Sequence, residues 1–187
     1  MNKKERLDAI SQEIIACTIC PIAKSGVPVI GEGNPHAEVV FIGEAPGKQE
    51  ALSGRPFIGR SGKLLRQTIK EIGLDEKDVY ITSPVKYLPD RGTPTSEDIA
   101  HGRLHLMKQL AIIQPKIVVL LGRVAAEGVL QRKLAVMSEH GKIIDEREGI
   151  NYFLTLHPAA AIRFVKFKKS FVEDFENLKI YLSATQK

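Results

Sequence analysis

Four short apolar runs, each separated from the next by a stretch with helical periodicity, constrain the fold of this sequence most strongly. All four contain β-branched side chains, which favour buried strands. They are residues 37–42, 79–82, 116–121 and 152–155. Helices are predicted over residues 4–16, 63–72, 96–113, 122–130 and 168–182. The segments 20–36 and 43–62, rich in glycine and proline, are predicted to be loops.

Strands that alternate with helices are joined by right-handed crossovers and form a parallel sheet with helices on both faces. We therefore predict an α/β fold with three layers, α/β/α, around a central, mostly parallel four-stranded sheet. The length of 187 residues suits one domain, and neither a repeat nor a linker divides the chain. Residues 1–187 are thus predicted to form a single domain.

Three predicted strands are followed by side chains suited to chemistry. Glu44 follows the first strand, Ser83 the second and His157 the last. In sheets of this type a ligand binds outside the carboxyl ends of the strands. A carboxylate, a hydroxyl and an imidazole are therefore expected to converge at one edge of the sheet.

The charge balance permits a polyanionic partner without requiring one. The formal net charge is +5 and the pI is about 9.2. The basic side chains form two clusters, one of Arg55, Arg60, Lys63 and Arg66 and the other of Arg163, Lys166, Lys168 and Lys169. Such clusters are typical of nucleic-acid contacts and equally of solvated surface patches.

The chain lacks the signals of a membrane or secreted protein. No apolar run is long enough to span a bilayer, and the first residues contain no apolar core of a signal peptide. We expect a cytoplasmic monomer with no membrane partner.

One glycine-rich segment comes close to a nucleotide-binding loop. Residues 54–61, GRPFIGRS, nearly match the P-loop pattern, but Arg60 replaces its lysine and the segment does not leave a strand directly. A P-loop needs its amides at a strand-to-helix turn, so a nucleoside triphosphatase is not favoured.

Taken in order, the motifs resemble those of family-4 uracil-DNA glycosylases. Residues 43–62, GEAPGKQEALSGRPFIGRSG, are similar to the first signature of that family. VYITSPVK at 79–86, KIVVLLG at 116–122 and LHPAA at 156–160 resemble its later strand motifs and its His-Pro motif. The resemblance implies an enzyme that cleaves the bond between a flipped-out damaged base and its deoxyribose, leaving an abasic site.

The resemblance also implies roles for individual side chains. Phe57 would stack on the flipped base, and His157 would donate a hydrogen bond to the base oxygen that becomes negative as the bond breaks. Glu44 and Glu50 would lie near the sugar, where one of them orients water or offsets positive charge. Glu44 is favoured because it stands at a strand end.

Further contacts follow from the same resemblance. The implied base-binding residues are Gly43, Ala45, Gly47, Phe57 and Ser83. The residues implied to contact the DNA backbone are Arg60, Ser61, Lys63, Arg163, Lys166 and Lys168. Residues 160–163 lie where relatives carry the side chain that fills the gap left by the base.

Ser83 is the first departure from the family pattern. Members of the family carry an asparagine at this position, whose amide both donates and accepts and so reads the uracil edge. A serine hydroxyl is shorter and less selective. The damaged base is therefore left open between uracil and another deaminated base such as hypoxanthine or xanthine.

The cysteines are the second departure. Family-4 enzymes hold a 4Fe–4S cluster with four cysteines, and here Cys17 and Cys20 match the first two, while Tyr87 and His101 replace the others. No cluster and no other cofactor is expected. The alternative is zinc held by Cys17, Cys20, His101 and His105, because the two histidines lie four residues apart on one helix face.

These features predict a monofunctional DNA glycosylase whose partner is DNA containing a damaged base. Two other functions remain open at this stage. One is a DNA- or lesion-binding module of the same fold with little or no turnover. The other is an N-glycosidase that acts on small nucleosides or nucleotides.

Overall fold

The computed structural model describes residues 1–185 of the chain. The helices are α1 (Lys3–Ala16), α2 (Lys48–Ser53), α3 (Arg60–Glu71), α4 (Ser96–Ile113), α5 (Arg123–Leu130), α6 (Val136–Glu139), α7 (Pro158–Arg163) and α8 (Val165–Thr185). The strands are β1 (Lys24–Ser25), β2 (Glu32–Gly33), β3 (Val39–Ile42), β4 (Val79–Thr82), β5 (Leu88–Pro89), β6 (Ile117–Leu121), β7 (Lys142–Arg147) and β8 (Ile150–Thr155).

The central sheet has the strand order β2-β4-β3-β6-β8-β7. Its four inner strands, β4, β3, β6 and β8, are parallel and are the four predicted from the apolar runs. The predicted α/β class with a mostly parallel sheet is therefore confirmed. The predicted number of four strands is wrong, because β2 and β7 add an antiparallel strand at each edge.

The two edge strands lack the pattern that marks the inner ones. β2 has only two residues and lies inside the segment predicted as loop. β7 reads KIIDER and is half-buried or exposed throughout, so it carries no continuous apolar run. An edge strand that faces solvent needs neither the length nor the continuous apolar run of a buried parallel strand. A separate pair, β1 and β5, lies outside this sheet.

The side chains of the inner strands alternate between two cores, which makes the three layers. Val40 and Ile42 face a cluster that includes residues of α1, α4 and α5. Val39 and Phe41 face the opposite cluster, which includes residues of α3 and α8. Helices therefore cover both faces, as predicted. Across residues 1–185, every helix is too short or too polar to traverse a bilayer.

Local sequence signals mark the starts of two long helices, α1 and α4. Asn2 and Glu5 form a capping box at the start of α1, and Thr95 and Asp98 form another at the start of α4. Three short helices were not predicted. α2 lies within the segment 43–62, predicted as loop, α6 lies where no element was predicted, and α7 follows His157. Four to six residues are too few to reveal a helical period.

Candidate active site

The carboxyl ends of the parallel strands enclose a cavity of about 390 Å³. Its lining includes the predicted residues Glu44, Ala45, Gly47, Glu50, Phe57, Ser61, Ser83 and His157. The other lining residues are Val29, Pro46, Lys48, Pro56, Leu88, Gly92 and Ala159. The three strand ends singled out in the sequence thus meet around one space, which is large enough for a nucleobase.

Glu44 follows β3 and is half-buried at the wall of the cavity. Burial raises the pKa of its carboxyl group, and the positive charge of Arg123 opposes this rise. Its carboxylate has no hydrogen-bond partner among residues 1–185. It is therefore available to a molecule inside the cavity.

Glu50 lies on α2 and is buried. Its Oε1 atom accepts hydrogen bonds from the backbone N–H groups of Ile58 and Gly59, both at 2.8 Å. The carboxylate therefore holds the turn that leads into α3. This engagement distinguishes it from the free carboxylate of Glu44.

Phe57 is held in a left-handed backbone conformation, with φ at +52°. Such a conformation is strained for a bulky residue and persists only where the surroundings impose it. Here a Cβ on Gly43 would lie 2.4 Å from the ring, and one on Gly62 would lie 2.0 Å from the Phe57 backbone. Arg66 donates from Nε to the Phe57 carbonyl at 2.9 Å. Two glycines and one arginine thus fix the ring at the cavity.

His157 caps the N-terminus of α7 through its side chain. Its Nδ1 atom accepts a hydrogen bond from the backbone N–H of Ala159 at 3.1 Å. A neutral imidazole with Nδ1 as acceptor carries its proton on Nε2. Burial lowers the pKa of His157 to about 4, so the ring is neutral at physiological pH. Nε2–H has no partner within residues 1–185 and remains a free donor.

The His157 ring lies beside Phe57, with ring centroids 6.3 Å apart. Gly122, at the end of β6, permits this close approach, because a Cβ there would lie 2.9 Å from Cβ of His157. Its φ of +86° also favours glycine. The end of β6 therefore shapes the wall that carries the imidazole.

Asp174 of α8 anchors the strand that leads to His157. One oxygen, Oδ2, accepts from Thr155 Oγ1 at 2.7 Å and from the Leu156 backbone N–H at 3.3 Å. The other, Oδ1, lies 2.7 Å from Nδ1 of His140. Asp174 is buried, and burial raises the pKa of its carboxyl group. This network fixes the backbone immediately before the imidazole.

Ser83 is buried at the end of β4, and its hydroxyl donates to the Val85 carbonyl at 2.8 Å. The hydroxyl proton is therefore used within the protein. What Ser83 offers to the cavity is an oxygen that accepts hydrogen bonds, whereas an asparagine would offer both a donor and an acceptor.

Of the residues expected to contact the DNA backbone, Ser61 lines the cavity and the others lie outside it. Arg60 and Ser61 line an open groove of about 450 Å³ at the start of α3, and this groove shares Lys48, Glu50, Ser61 and Ala159 with the cavity. Of the predicted backbone contacts, those that line neither space are Lys63, Arg163, Lys166 and Lys168. All four are exposed on α3, α7 and α8.

Two charged residues near the cavity were not identified from the sequence. Lys48 begins α2 and lines both the cavity and the groove. Arg123 follows Gly122 at the end of β6 and acts on the Glu44 carboxyl group. β6 is the one inner strand that is followed by no predicted site residue. Its position in the middle of the parallel strands is the signal that could have found Arg123.

A second group of reactive side chains lies near the N-terminus of α4. Ligand atoms of Cys17, Cys20, His101 and His105 all lie within 4.8 Å of one another. Burial opposes ionisation of the Cys17 thiol, but the Cys20 backbone N–H and the neighbouring rings of His105 and His101 outweigh it and lower its pKa to about 6. The two cysteines and two histidines singled out in the sequence are therefore brought together.

The fold and the cavity define an α/β protein that can hold one planar ring at the carboxyl edge of a parallel sheet. Residues 30–179 match the family described as the uracil DNA glycosylase superfamily. The chain belongs to this superfamily, which confirms the resemblance seen in the motifs.

Relatives named type-4 uracil-DNA glycosylases match this chain over most of their length. The chain is 36% identical to a type-4 uracil-DNA glycosylase of Archaeoglobus fulgidus, over 93% of this chain and 92% of that protein. It is 34% identical to a type-4 uracil-DNA glycosylase of Thermotoga maritima, over 97% of both. A type-4 uracil-DNA glycosylase of Sulfurisphaera tokodaii is 38% identical, over 94% of this chain and 84% of that protein.

Proposed function

We propose that this protein is a DNA repair glycosylase that hydrolyses the N-glycosidic bond of uracil, or of a related deaminated base, in DNA. The observation that carries the proposal is the placement of Glu44, Phe57 and His157 around one cavity at the carboxyl edge of the sheet. Membership of the superfamily and the names of the type-4 relatives support the same reaction.

The base must leave the DNA double helix before it can enter the cavity, because a duplex keeps its bases stacked in the interior. Flipping costs a few kcal/mol and is easiest for a mismatched base. Stacking on an aromatic ring returns about 1–3 kcal/mol per base. The fixed ring of Phe57 supplies such a surface without having to reorganise.

His157 acts on the leaving base. As the bond between C1′ of the sugar and the base nitrogen breaks, the electron pair stays with the base, and a base oxygen becomes negative. The Nε2–H of the neutral imidazole donates a hydrogen bond to that oxygen. A donor aimed at developing charge lowers the barrier by about 3–4 kcal/mol in comparable sites.

Glu44 acts on the sugar side. The sugar carries positive charge at C1′ once the base has left, and an ionised carboxylate offsets that charge. The same carboxylate orients the water that attacks C1′ and takes up its proton. Because burial raises the pKa of Glu44, the rate should rise with pH as this group ionises.

The groove beside the cavity suits the DNA backbone. The first turn of α3 directs backbone N–H groups outward, which attracts a phosphate. Arg60 and Lys48 add positive charge along the same groove. Phosphate contacts of this kind make binding weaker at higher salt.

The test uses single-stranded and duplex oligonucleotides that contain uracil, hypoxanthine or xanthine, followed by alkaline cleavage of abasic sites. We expect release of at least one of these bases, with strong loss in His157→Ala and Glu44→Ala. Binding without release of any base would instead make the protein a lesion-binding module. Release from free nucleotides alone would make it a nucleoside N-glycosidase.

The reaction is proposed to be monofunctional, so the abasic product should stay intact until alkali is added. Lys48 is the amine to examine, because it lines the cavity. Reduction with borohydride during turnover should trap no covalent complex. A trapped complex that disappears in Lys48→Ala would contradict the monofunctional part of the proposal alone.

A further inference from the structure

The group of Cys17, Cys20, His101 and His105 does not fit the four-cysteine cluster associated with family-4 enzymes. The whole sequence has two cysteines, so one chain cannot supply four thiolates. Tyr87, which occupies one of the expected cysteine positions, is buried and is a poor ligand for iron–sulfur clusters. The donor set that remains, two thiols and two imidazoles, is instead one of the common sets for a single zinc ion.

We propose that Cys17, Cys20, His101 and His105 bind one Zn²⁺ ion in tetrahedral geometry. Zinc lies about 2.3 Å from sulfur and about 2.0 Å from nitrogen, so the ligand atoms of such a site are about 3.3–3.8 Å apart. Cys17 Sγ already lies 3.2 Å from His101 Nε2, and all four ligand atoms lie within 4.8 Å of one another. Small side-chain movements would complete the tetrahedron.

The backbone presents the ligands in pairs. Cys17 is the C-cap residue that follows α1, and the Cys20 backbone nitrogen lies 3.4 Å from Cys17 Sγ, so the turn after the helix folds back onto this sulfur. His101 and His105 lie one turn apart on α4, and their rings meet edge to face at 5.4 Å. Each pair is therefore preformed by local structure.

His105 gives the strongest indication that a partner is missing. Both its ring nitrogens are buried and have no hydrogen-bond partner within residues 1–185. A buried polar atom without a partner costs about as much as a lost hydrogen bond, so native proteins rarely leave two on one ring. A metal ion on Nε2 would satisfy one of them.

Glu13 accounts for the other nitrogen. Its Oε1 lies 3.1 Å from His105 Nδ1 without the alignment of a hydrogen bond, and it also pairs with Lys108. Histidines that bind zinc usually donate their second N–H to a carboxylate. A small rotation of the ring on metal binding would make that bond.

Four protein ligands leave no open position, so the ion would be structural rather than catalytic. It would tie the segment after α1 to α4 across 84 positions of sequence. α4 in turn supports the loop after β4, because Gly102 packs so closely that a Cβ would lie 2.2 Å from the Pro84 carbonyl oxygen. By fixing α4, the zinc would thus stiffen the backbone of Pro84, next to Ser83, on the side that packs against α4.

The experiment measures metal in the purified full-length chain by elemental analysis and titrates the metal-free protein with Co²⁺. We expect one zinc per chain, and with Co²⁺ the intense visible bands of a tetrahedral site with two sulfur and two nitrogen ligands. Cys17→Ser and His105→Ala should each weaken zinc binding at least tenfold in competition with a chelator. His36→Ala, which changes an exposed histidine elsewhere, should bind as the wild type does.

If a ligand variant fails to fold, the cobalt spectrum of the wild-type protein still tests whether the site is tetrahedral with two sulfur and two nitrogen ligands. Iron with visible charge-transfer absorption would overturn the proposal, as would wild-type zinc affinity in His105→Ala. A metal-free protein whose two thiols form a disulfide would assign the pair to redox chemistry and would also overturn it. None of these measurements depends on base release, so they stand or fall separately from the proposed reaction.

Discussion

The cavity and the cysteine–histidine group both contain polar atoms with no partner among residues 1–185, but the two regions leave them in different surroundings. In the cavity, Nε2 of His157 and the carboxylate of Glu44 border open space. In the cysteine–histidine group, both ring nitrogens of His105 are buried. Water can serve the first set of atoms at little cost, whereas it cannot reach the second.

This difference separates two kinds of site. Polar atoms beside open space can exchange bound water for a substrate and bind water again after its release, which suits a transient ligand. Buried polar atoms without a hydrogen-bond partner cannot exchange with water in this way and suit a permanently bound ligand. Changes in the cavity should therefore alter chemistry more than stability, and changes to the metal ligands should do the reverse.

The largest effect is expected from His157→Ala. It removes the only donor we assign to the leaving base, so the single-turnover rate of base release should fall by about 10²–10³-fold, corresponding to about 3–4 kcal/mol. The melting temperature should fall by only a few degrees, because the variant also loses the side-chain cap of α7. His140→Ala is a poor control because His140 pairs with Asp174, so exposed His36→Ala serves instead and should keep full activity.

The same imidazole should make stability depend on pH. Burial lowers the pKa of folded His157 to about 4 from an ordinary value of 6.5, so between these pH values the unfolded chain binds more protons than the folded one. The unfolding free energy should therefore rise from pH 4 to pH 6.5, by about 2–3 kcal/mol from this group. Urea unfolding at several pH values measures it.

Comparison with His157→Ala isolates that contribution. The variant should show a shallower rise in unfolding free energy over the same interval. Glu44, whose pKa is raised by burial, contributes with the opposite sign and is common to both proteins. Equal slopes in the two proteins would mean that the buried imidazole does not titrate as proposed.

The two carboxylates of the cavity should respond differently to the same change. Glu50→Gln weakens the hydrogen bonds to the Ile58 and Gly59 amides, so it should lower the unfolding free energy by about 1.5–2 kcal/mol. Glu44→Gln should leave unfolding unchanged while it slows base release. Denaturant titration and single-turnover kinetics on both variants show which carboxylate positions the backbone and which takes part in the reaction. If Glu44→Gln lowered the unfolding free energy and Glu50→Gln slowed base release, the two roles would be exchanged.

The sequence allowed the inner sheet to be predicted, because a strand that is buried on both faces must be apolar throughout. β4 occupies the residues predicted for it, and β3, β6 and β8 differ only at their ends. β7 could not be predicted in this way, since one polar face satisfies an edge strand. α2 is six residues long and bounded by Gly47 and Gly54. The glycines around it therefore favoured a loop prediction, and so short a helix shows no clear helical periodicity.

The site was predictable in part for the same physical reason. Parallel strands end at one edge, so Glu44, Ser83 and His157 were expected to meet, and they do line one cavity. The hydrogen bonds that engage the carboxylate of Glu50 and leave that of Glu44 free were not predictable. Those bonds depend on α2 turning Glu50 toward the 58–59 turn, which no spacing in the sequence specifies.

The smallest effect concerns the choice of base. Ser83 offers the cavity an acceptor only, because its proton is donated to Val85. Ser83→Asn would add a donor and an acceptor that can pair with the uracil edge, worth about 1 kcal/mol. We therefore expect kcat/KM for uracil to rise about fivefold relative to hypoxanthine, measured on matched oligonucleotides. Ser83→Ala is the control, since it removes the hydroxyl without adding an amide. If both variants gave the same ratio, the side chain at position 83 would not read the base, and the cavity would select its ligand by shape alone.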